Sequence, residues 1–147
     1  MNTPLSALLA RKGPALHTVA SHLTIAETVA EMNRHRIGCI LVTEGEKLVG
    51  IFTERDVLRR VVGEGVDPKA GRVADVMSAN VMTVSPDATV EETMVMFAER
   101  RCRHLPVLSD GKLQGLISIG DISRWMADAN RHEAEHLKSY IAGGLST

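Results

Sequence analysis

Apolar residues recur along this chain with two alternating spacings, which predict helices and strands in turn. Ile25, Val29 and Met32 lie three or four residues apart, which is typical of one face of a helix, here ending near Arg36. The run 37–43 is mostly apolar and uncharged and predicts a buried strand. The same reasoning predicts the other elements of this half: a lead-in helix at 5–9, strands at 16–19 and 47–52, and a helix at 56–62.

The order of elements restarts after a linker. Glycine and proline are concentrated in the run 63–72, as is usual in connecting segments. Met94 and Phe97 then mark the buried face of another helix. Around that helix, the pattern predicts strands at 81–84, 105–108 and 113–117 and a last helix from Asp121.

One stretch occurs twice, 65 residues apart: Gly50-Ile51-Phe52-Thr53-Glu54-Arg55-Asp56 and Gly115-Leu116-Ile117-Ser118-Ile119-Gly120-Asp121. Both copies contain a glycine, two large apolar residues, a hydroxyl residue, two spacers and an aspartate. We therefore predict an α+β fold of two β-α-β-β-α repeats, which pack about a pseudo-twofold axis because either alone is too small for a good core. The predicted units are repeat 1 with its lead-in (1–63), a linker (64–72), repeat 2 (73–127) and a C-terminal helical extension (128–147).

Hydroxyl and acidic residues three positions apart admit two interpretations. Each such pair has the form of an N-cap, whose side chains satisfy free amides at a helix start: Thr24/Glu27, Thr53/Asp56, Thr89/Glu92 and Ser118/Asp121. In the repeated stretch the same geometry also suits a ligand. The hydroxyl and amides can bind a phosphate, and the carboxylate can accept two hydrogen bonds from a ribose diol.

Composition and charge narrow the possible functions. Hydrophobic residues make up 44% of the 147 residues and the net charge is −1, so the chain lacks the basic excess of nucleic-acid binders. No apolar run reaches the roughly 18 residues of a membrane span, and the first residues lack the layout of a signal peptide. Cys39 and Cys102 have no metal-type spacing, so we expect free thiols and a cytoplasmic location.

The duplicated stretch, its 65-residue period and the order of elements resemble a tandem CBS-domain protein (a Bateman module) over about residues 8–127. The resemblance implies a regulatory module, not an enzyme, that binds an adenine nucleotide between its repeats and responds by a change of shape. AMP is the foremost ligand so implied, and ADP, ATP and NAD(H) are others. The resemblance implies neither catalytic residues nor a metal.

In this family each site is composite, with ribose and phosphate held by one repeat and the base by the other. The first implied site joins Thr53 and Asp56 to residues 80–82 and 102–103, and the second joins Ser118 and Asp121 to residues 15–17 and 37–38. The implied ribose and phosphate contacts are Thr53, Arg55, Asp56, Arg103, His104, Ser118 and Asp121. The implied adenine contacts are Ala15, Leu16, His17, Ile37, Gly38, Ile51, Asn80, Val81, Met82, Cys102 and Ile117.

The two implied sites differ in charge. Arg103 and His104 stand where repeat 1 has Gly38 and Cys39. Cations beside a phosphate form charge-assisted hydrogen bonds, which predicts that the first site binds phosphate better. The arginines can also be explained as solvated charges at the end of a helix.

Two alternative functions remain open. The repeats can be an interaction module that has kept its caps and core without a ligand. In addition, His132-Glu133-Ala134-Glu135-His136 matches the His-Glu-x-x-His signature of zinc peptidases. No His, Asp or Glu follows it as a third zinc ligand, which argues against a catalytic zinc site.

Residues after 127 have no counterpart in the first half. An interrupted apolar stripe continues into them, formed by Ile122, Met126, Ala129, Leu137 and Ile141. Such a stripe on a polar helix predicts packing against a partner chain. The resemblance implies homodimers, which we expect to form through the repeat helices and the helix 122–141; the regulated protein is not identified by the sequence.

Overall fold

The computed structural model describes residues 3–145, apart from the side chains of 133 and 136–145. It confirms the α+β fold with two repeats: repeat 1 contains three strands and repeat 2 contains two. The elements are α1 (Leu5–Lys12), β1 (Thr18–Ala20), α2 (Ile25–His35), β2 (Cys39–Glu44), β3 (Lys47–Thr53), α3 (Glu54–Asp56) with a π-helix (Val57–Val62) directly after it, α4 (Val73–Val76), α5 (Val90–Arg100), β4 (His104–Ser109), β5 (Lys112–Ser118) and α6 (Ile119–Leu145).

Each repeat is built on an antiparallel hairpin with the same register. In the hairpin of β2 and β3, Cys39 lies opposite Thr53. In the hairpin of β4 and β5, His104 lies opposite Ser118. The repeated stretch therefore has the same place in both repeats, at the end of the second strand and the start of a helix.

A third strand completes the sheet in repeat 1 but not in repeat 2. β1 pairs in parallel with β2, whereas the strand predicted at 81–84 is reduced to a single bridge between Val84 and Val107. The Val84 amide donates to the Pro106 carbonyl, but the next ladder bond toward Met82 requires an N–H at position 106. Proline has none, so the prediction of a strand there was wrong.

The predicted capping boxes at the starts of α2 and α5 are confirmed. The Thr24 hydroxyl accepts a hydrogen bond from the Glu27 amide at 3.1 Å, and the Glu27 carboxylate accepts one from the Thr24 amide at 3.2 Å. These bonds hold the pKa of Glu27 below its ordinary value. Thr89 and Glu92 form the same reciprocal pair.

One predicted core position in α5 was wrong. Met94 is exposed, and the buried face runs instead through Val90, Thr93 and Phe97. Thr93 tolerates burial because its hydroxyl donates to the Thr89 carbonyl at 2.8 Å, which leaves no polar group unpaired. Because one residue of the buried stripe is polar, the spacing of apolar residues alone did not identify the buried face.

Each repeat packs against the first helix of the other. α1 is the lead-in helix of repeat 1, yet Leu5 and Leu8 are buried in the core of repeat 2, and the Leu5 amide donates to the Ala88 carbonyl at 2.8 Å. α4 begins repeat 2, yet Val73 and Val76 are buried in the core of repeat 1. This exchange of helices was not predicted, and it brings α1 to the motif of repeat 2.

α6 continues beyond the core of repeat 2 as one helix, as predicted. Ile122 is buried in that core, with Trp125 and Met126 packed against it. The side chains of Leu137 and Ile141, the end of the predicted stripe, lie outside the described residues. In the part of the chain that the structure describes, no helix has the length and apolarity to cross a membrane.

Candidate functional site

A cleft of about 380 Å³ opens where the motif of repeat 1 faces the turn before β4 of repeat 2. Repeat 1 contributes the end of β3 and the residues of α3, and one residue comes from the segment after α4. We term this cavity the first cleft. Its lining residues are Gly38, Ile51, Thr53, Glu54, Arg55, Asp56, Ser78, Arg101, Cys102, Arg103 and His104.

A reciprocal cap at the start of α3 forms one wall of the first cleft. The Thr53 hydroxyl accepts from the Asp56 amide at 3.2 Å, and Asp56 Oδ2 accepts from the Thr53 amide at 3.0 Å. Asp56 is 7% exposed. Its other oxygen, Oδ1, faces the Arg60 Nε at 3.7 Å, beyond ordinary hydrogen-bond length. The carboxylate therefore serves as a cap and keeps one oxygen for another partner.

A π-helix follows this cap directly. The Gly63 amide donates to the Leu58 carbonyl, five residues back, whereas the corresponding segment of repeat 2 is α-helical. The wider turn carries Arg60, whose guanidinium donates to the Met77 carbonyl at 2.8 Å. π-Helical turns are frequent beside functional sites, and this one lies next to the Asp56 carboxylate.

The opposite wall of the first cleft is cationic. α5 ends at Arg101 in the left-handed conformation, with φ 53°, and the turn that follows brings Arg103 to the cleft. Together with Arg55, three guanidinium groups line the cleft against the two carboxylates of Glu54 and Asp56. The first cleft therefore favours an anionic ligand such as a phosphate.

Cys39 and His104 occupy equivalent places at the starts of β2 and β4. Burial, with a further contribution from the Asp56 charge, raises the pKa of the Cys39 thiol to about 12, against an opposing effect of Lys12. Burial also lowers the pKa of His104, as does the Lys12 charge, and the Asp121 charge opposes this. Both side chains thus lie within electrostatic reach of α1, and His104 is neutral at pH 7.

A second cleft of about 380 Å³ lies beside the motif of repeat 2. Asp121 Oδ2 accepts from the Ser118 amide at 2.9 Å and from Lys12 at 2.8 Å, and Oδ1 accepts from Arg124 at 2.7 Å. Burial acts to raise the pKa of Asp121, but the bonds from Lys12 and Ser118 outweigh it, and the pKa lies below its ordinary 3.8. The residues lining this second cleft are Leu8, Arg11, Lys12, Asp121, Arg124, Trp125 and Asp128.

The structure brings much of the first predicted set of residues to one cavity. The predicted residues that line the first cleft are Ile51, Thr53, Arg55, Asp56, Cys102, Arg103 and His104. Asn80, Val81 and Met82 do not line it; Asn80 is exposed, and Met82 packs against the core of repeat 2. Ser78 lines the cleft from the same segment.

The second predicted set is dispersed. Asp121 is its single member among the described residues that line the second cleft. Gly38 lines the first cleft instead, His17 stacks on His35 with the ring centroids 3.7 Å apart, and Ile117 is fully buried. The other members outside both clefts are Ala15, Leu16, Ile37 and Ser118. Which of the predicted residues contact a ligand stays a prediction.

Register explains one of these placements, and the exchange of helices explains others. The two hairpins pair identically, so Ile51 corresponds to Leu116, whereas Ile117 corresponds to the buried Phe52. The 65-residue shift alone could have identified Leu116. Lys12 gave no such signal, because it lies 109 residues from Asp121 on a helix that the sequence assigns to repeat 1.

The alternative zinc motif receives no test from the structure. His132 is exposed on α6, but the side chains of Glu133 and His136 lie outside the described residues. Within the residues whose side chains are described, no group of three or more His, Cys, Asp or Glu could hold a metal ion. The zinc peptidase function stays a hypothesis from the sequence.

Comparison with known proteins assigns the two halves to one family. The family model of the CBS domain matches residues 9–63 and again residues 73–128. A mitochondrial CBS domain-containing protein of Arabidopsis thaliana is 36% identical over 126 residues, which are 82% of this chain and 61% of that protein. A CBS domain-containing protein of Bacillus subtilis is 31% identical over 106 residues, 72% of this chain and 75% of that protein. The chain thus spans less than two thirds of the plant relative.

Solved structures have the same fold. A CBS-domain containing protein of Agrobacterium tumefaciens has a TM-score of 0.79 and 35% identity, covering 84% of this chain and 99% of that one. A CBS domain protein of Pyrobaculum aerophilum, solved in complex with AMP, has a TM-score of 0.72 and 27% identity, covering 80% and 88%. The CBS domain pair of protein MJ0100, solved with 5-methylthioadenosine and S-adenosyl-L-methionine, has a TM-score of 0.77, with 88% and 99% covered; at 23% identity, it shows the fold alone.

Proposed function

The chain belongs to the CBS-domain family, and from this premise we propose that it is a regulatory module that binds an adenine nucleotide in the first cleft. AMP is the foremost candidate, and ADP, ATP and NAD(H) are others. One observation carries the proposal: a single cavity joins the Thr53–Asp56 cap of repeat 1 to Arg101 and Arg103 of repeat 2. The AMP complex of the Pyrobaculum relative supports it by analogy.

The phosphate of the ligand is assigned to the arginine side of the cleft. Arg101 and Arg103 are exposed there, and Arg55 faces the same cavity. A guanidinium can bind two phosphate oxygens at once with charge-assisted hydrogen bonds. The Thr53 hydroxyl, at the end of β3, offers a further polar contact on the opposite wall.

The ribose is assigned to Asp56. Its Oδ2 is used by the cap, whereas Oδ1 has no partner closer than the Arg60 guanidinium at 3.7 Å in the described part of the chain. A carboxylate oxygen has two lone pairs, so Oδ1 can accept a hydrogen bond from a ribose hydroxyl. Because the acceptor is charged, such a bond contributes about 1.5–3 kcal/mol.

The base is assigned to the apolar part of the cleft. Ile51 and Cys102 are half-buried and line it together with the backbone of Gly38. The cleft contains no Phe, Tyr or Trp side chain among its described lining residues. Adenine is therefore held by aliphatic contacts and backbone hydrogen bonds, not by stacking on an aromatic residue.

Regulation follows from the composite walls. A ligand in the first cleft contacts both repeats, so it binds more tightly when the two walls are close together. Binding thereby shifts the population toward the closed arrangement. The change of shape is the signal passed to the regulated protein.

Thermal unfolding with AMP, ADP, ATP, NAD and S-adenosylmethionine tests the proposal. A ligand present at 100 times its dissociation constant stabilises the folded state by about 2.7 kcal/mol. For a chain of this length, we expect the melting temperature to rise by about 5–10 °C. No shift with any of these compounds would favour the alternative, an interaction module without a ligand.

The chain itself offers a matched control for this test. Asp56→Ala removes a cap that lines the first cleft, and Glu27→Ala removes a cap of the same geometry that lines neither cleft. Both changes lower stability, because each removes the acidic half of a capping box. The nucleotide-induced shift should persist in Glu27→Ala and be reduced to about half or less in Asp56→Ala. An equal reduction in both variants would mean that the shift reports stability instead of binding.

We also infer a homodimer formed through the helices of both repeats. Leu58 and Val62 on the π-helix are 66% and 68% exposed, and Met94 and Val95 on α5 are exposed as well. Exposed apolar groups on a helix of each repeat suit a contact with a second copy. Analytical ultracentrifugation should find a dimer for the wild type and a monomer for Leu58→Glu/Met94→Glu. A monomeric wild type would contradict the inference.

The module is expected to act in the cytoplasm. Cys39 and Cys102 are both free thiols, and Cys39 is buried. Burial raises the pKa of Cys102 as well, which favours the thiol form of both side chains over the reactive thiolate. Free cysteines of this kind are usual in a reducing compartment.

A further inference from the structure

Lys12, the last residue of α1, contacts the motif of repeat 2. Its Nζ donates to Asp121 Oδ2 at 2.8 Å and to the Leu116 carbonyl at 2.8 Å. The Lys12 side chain is 37% exposed and that of Asp121 is 10% exposed. An ammonium group has three donors. Two of them bond to Asp121 and Leu116, which are the counterparts in repeat 2 of Asp56 and Ile51 in the first cleft.

The position of Lys12 is fixed by packing. Besides the buried leucines of α1, Leu9 packs onto Gly115 so closely that a Cβ on this glycine would lie 2.6 Å from Leu9 Cδ2. Arg11 forms an ion pair with Asp128, and its guanidinium lies 5.4 Å from the centre of the Trp125 ring. The last turn of α1 is therefore held against repeat 2 on both sides of Lys12.

Repeat 1 has a different residue at the equivalent position. Met77 lies over Gly50, where a Cβ would lie 2.3 Å from its sulfur, just as Leu9 lies over Gly115. The two helices therefore correspond with a shift of 68 residues, which places the exposed, uncharged Asn80 opposite Lys12. No lysine contacts Asp56 in the described part of the chain. The two aspartates therefore differ because the segments lying over them differ in charge.

The charge of Lys12 acts on both repeats. It lowers the pKa of His104, as burial does more strongly, and it opposes the rise in the pKa of Cys39. These residues begin β4 and β2, in equivalent places of the two repeats.

We propose that Lys12 is a built-in competitor for nucleotide at the second site, because its ammonium forms the hydrogen bonds with Asp121 that a ribose would otherwise form. The inference rests on the proposed function. Arg124 also contacts Asp121, but its side chain is 72% exposed, and such an exposed pair is easily displaced. The module consequently binds one nucleotide per chain, and the docking of α1 controls access to a second.

Isothermal titration with AMP tests the competitor directly. The variant Lys12→Met removes the ammonium group and keeps the apolar stem of the side chain. We expect one AMP per chain for the wild type and two for Lys12→Met. The double variant Lys12→Met/Asp121→Ala should return to one. Lys69→Met, at an exposed linker lysine that lines neither cleft, should remain at one.

Each other outcome has a defined meaning, provided that urea unfolding shows the variants to be folded. Two AMP per chain in the wild type, or still one in Lys12→Met, overturns the competitor. Weaker binding in Lys12→Met also overturns it, because Lys12 would then be a ligand contact. If Lys12→Met binds AMP and the wild type does not, the role of Lys12 as a competitor is supported, and the proposal that AMP binds in the first cleft is contradicted. No binding by either protein removes both.

Discussion

The two motif clefts share their backbone geometry and differ in what lies over it. Asp56 and Asp121 both cap a helix, accepting from the amide of the hydroxyl residue at 3.0 and 2.9 Å. Asp56 then faces a cleft lined by arginines of the other repeat. Asp121 is instead bonded on both oxygens by Lys12 and Arg124. Duplication thus repeats the cap, but it does not by itself repeat a ligand site.

The difference arises from the exchanged helices. α1 lies over the motif of repeat 2 and ends in Lys12, whereas the segment over the motif of repeat 1 has the uncharged Asn80 at the equivalent position. A cation over a carboxylate forms a charge-assisted pair, and a neutral residue there leaves the Asp56 Oδ1 available. One residue in each leading segment therefore distinguishes the two clefts.

The largest expected effect concerns the helix that carries the lysine. Leu8 is 4% exposed in the core of repeat 2, so Leu8→Ala should lower the free energy of unfolding by about 2–5 kcal/mol. Urea unfolding measures this loss. The control Leu8→Met keeps the side-chain volume and should cost less than about 1.5 kcal/mol. Equal small losses in the two variants would mean that α1 is not anchored as described.

The next effect separates the two aspartates in binding. Asp56→Ala should weaken AMP binding by about 1.5–3 kcal/mol, or about 10- to 150-fold, because the ribose loses a charged acceptor. Asp121→Ala removes an aspartate that Lys12 already occupies and should change the affinity by less than about threefold. Titration calorimetry gives both values. Equal losses would contradict the asymmetry on which the comparison depends.

A smaller effect should identify the phosphate wall. Arg103→Gln removes one exposed guanidinium from the first cleft, and we expect about 2- to 10-fold weaker AMP binding, since solvent reduces the strength of an exposed charge contact. Adenosine, which has no phosphate, should bind this variant and the wild type equally. Arg100→Gln, at an exposed arginine of α5 that does not line the cleft, is the control. Equal weakening of adenosine and AMP would assign Arg103 to the base instead.

The sequence predicted those parts of the fold whose signals are local. The capping pair Thr24/Glu27 lies within four residues, and each hairpin joins two strands that are consecutive in the sequence through a short turn. The strand at 81–84 was wrong because the deciding residue, Pro106, lies in a different element and removes a ladder donor. The prediction that Met94 is buried was wrong because the buried stripe contains Thr93, a polar residue whose hydroxyl donates to a backbone carbonyl.

The sites were predictable to different extents for the same reason. Part of the lining of the first cleft follows from the repeated stretch, and Cys102, Arg103 and His104 follow from the family resemblance, although their role as ligand contacts stays a proposal. The second cleft depends on Lys12, which meets Asp121 across 109 residues of chain. No spacing in the sequence indicates that α1 packs on repeat 2, because an apolar stripe shows that a helix has a buried face but not what covers it.

The smallest expected effect uses pH to compare Cys39 with His104, the equivalent residues of the two repeats. The pKa of His104 is lowered in the folded protein, mainly by burial and then by Lys12, so the unfolded chain binds its proton more readily. Stability should therefore be highest above pH 6.5, the ordinary value of histidine, and fall as the pH drops through it toward the folded pKa. Urea unfolding between pH 7.5 and 5.5 measures this slope.

His104→Gln should flatten that slope. Cys39 makes no contribution in this range, because its pKa of about 12 keeps the thiol protonated throughout. Of these two equivalent residues, His104 alone therefore contributes to the pH response, and Lys12 and Asp121 act on its pKa in opposite directions. In Lys12→Met the loss of the nearby cation raises the pKa of His104, so the slope should decrease. An unchanged slope in Lys12→Met would mean that the ammonium lies too far from His104 to affect its pKa.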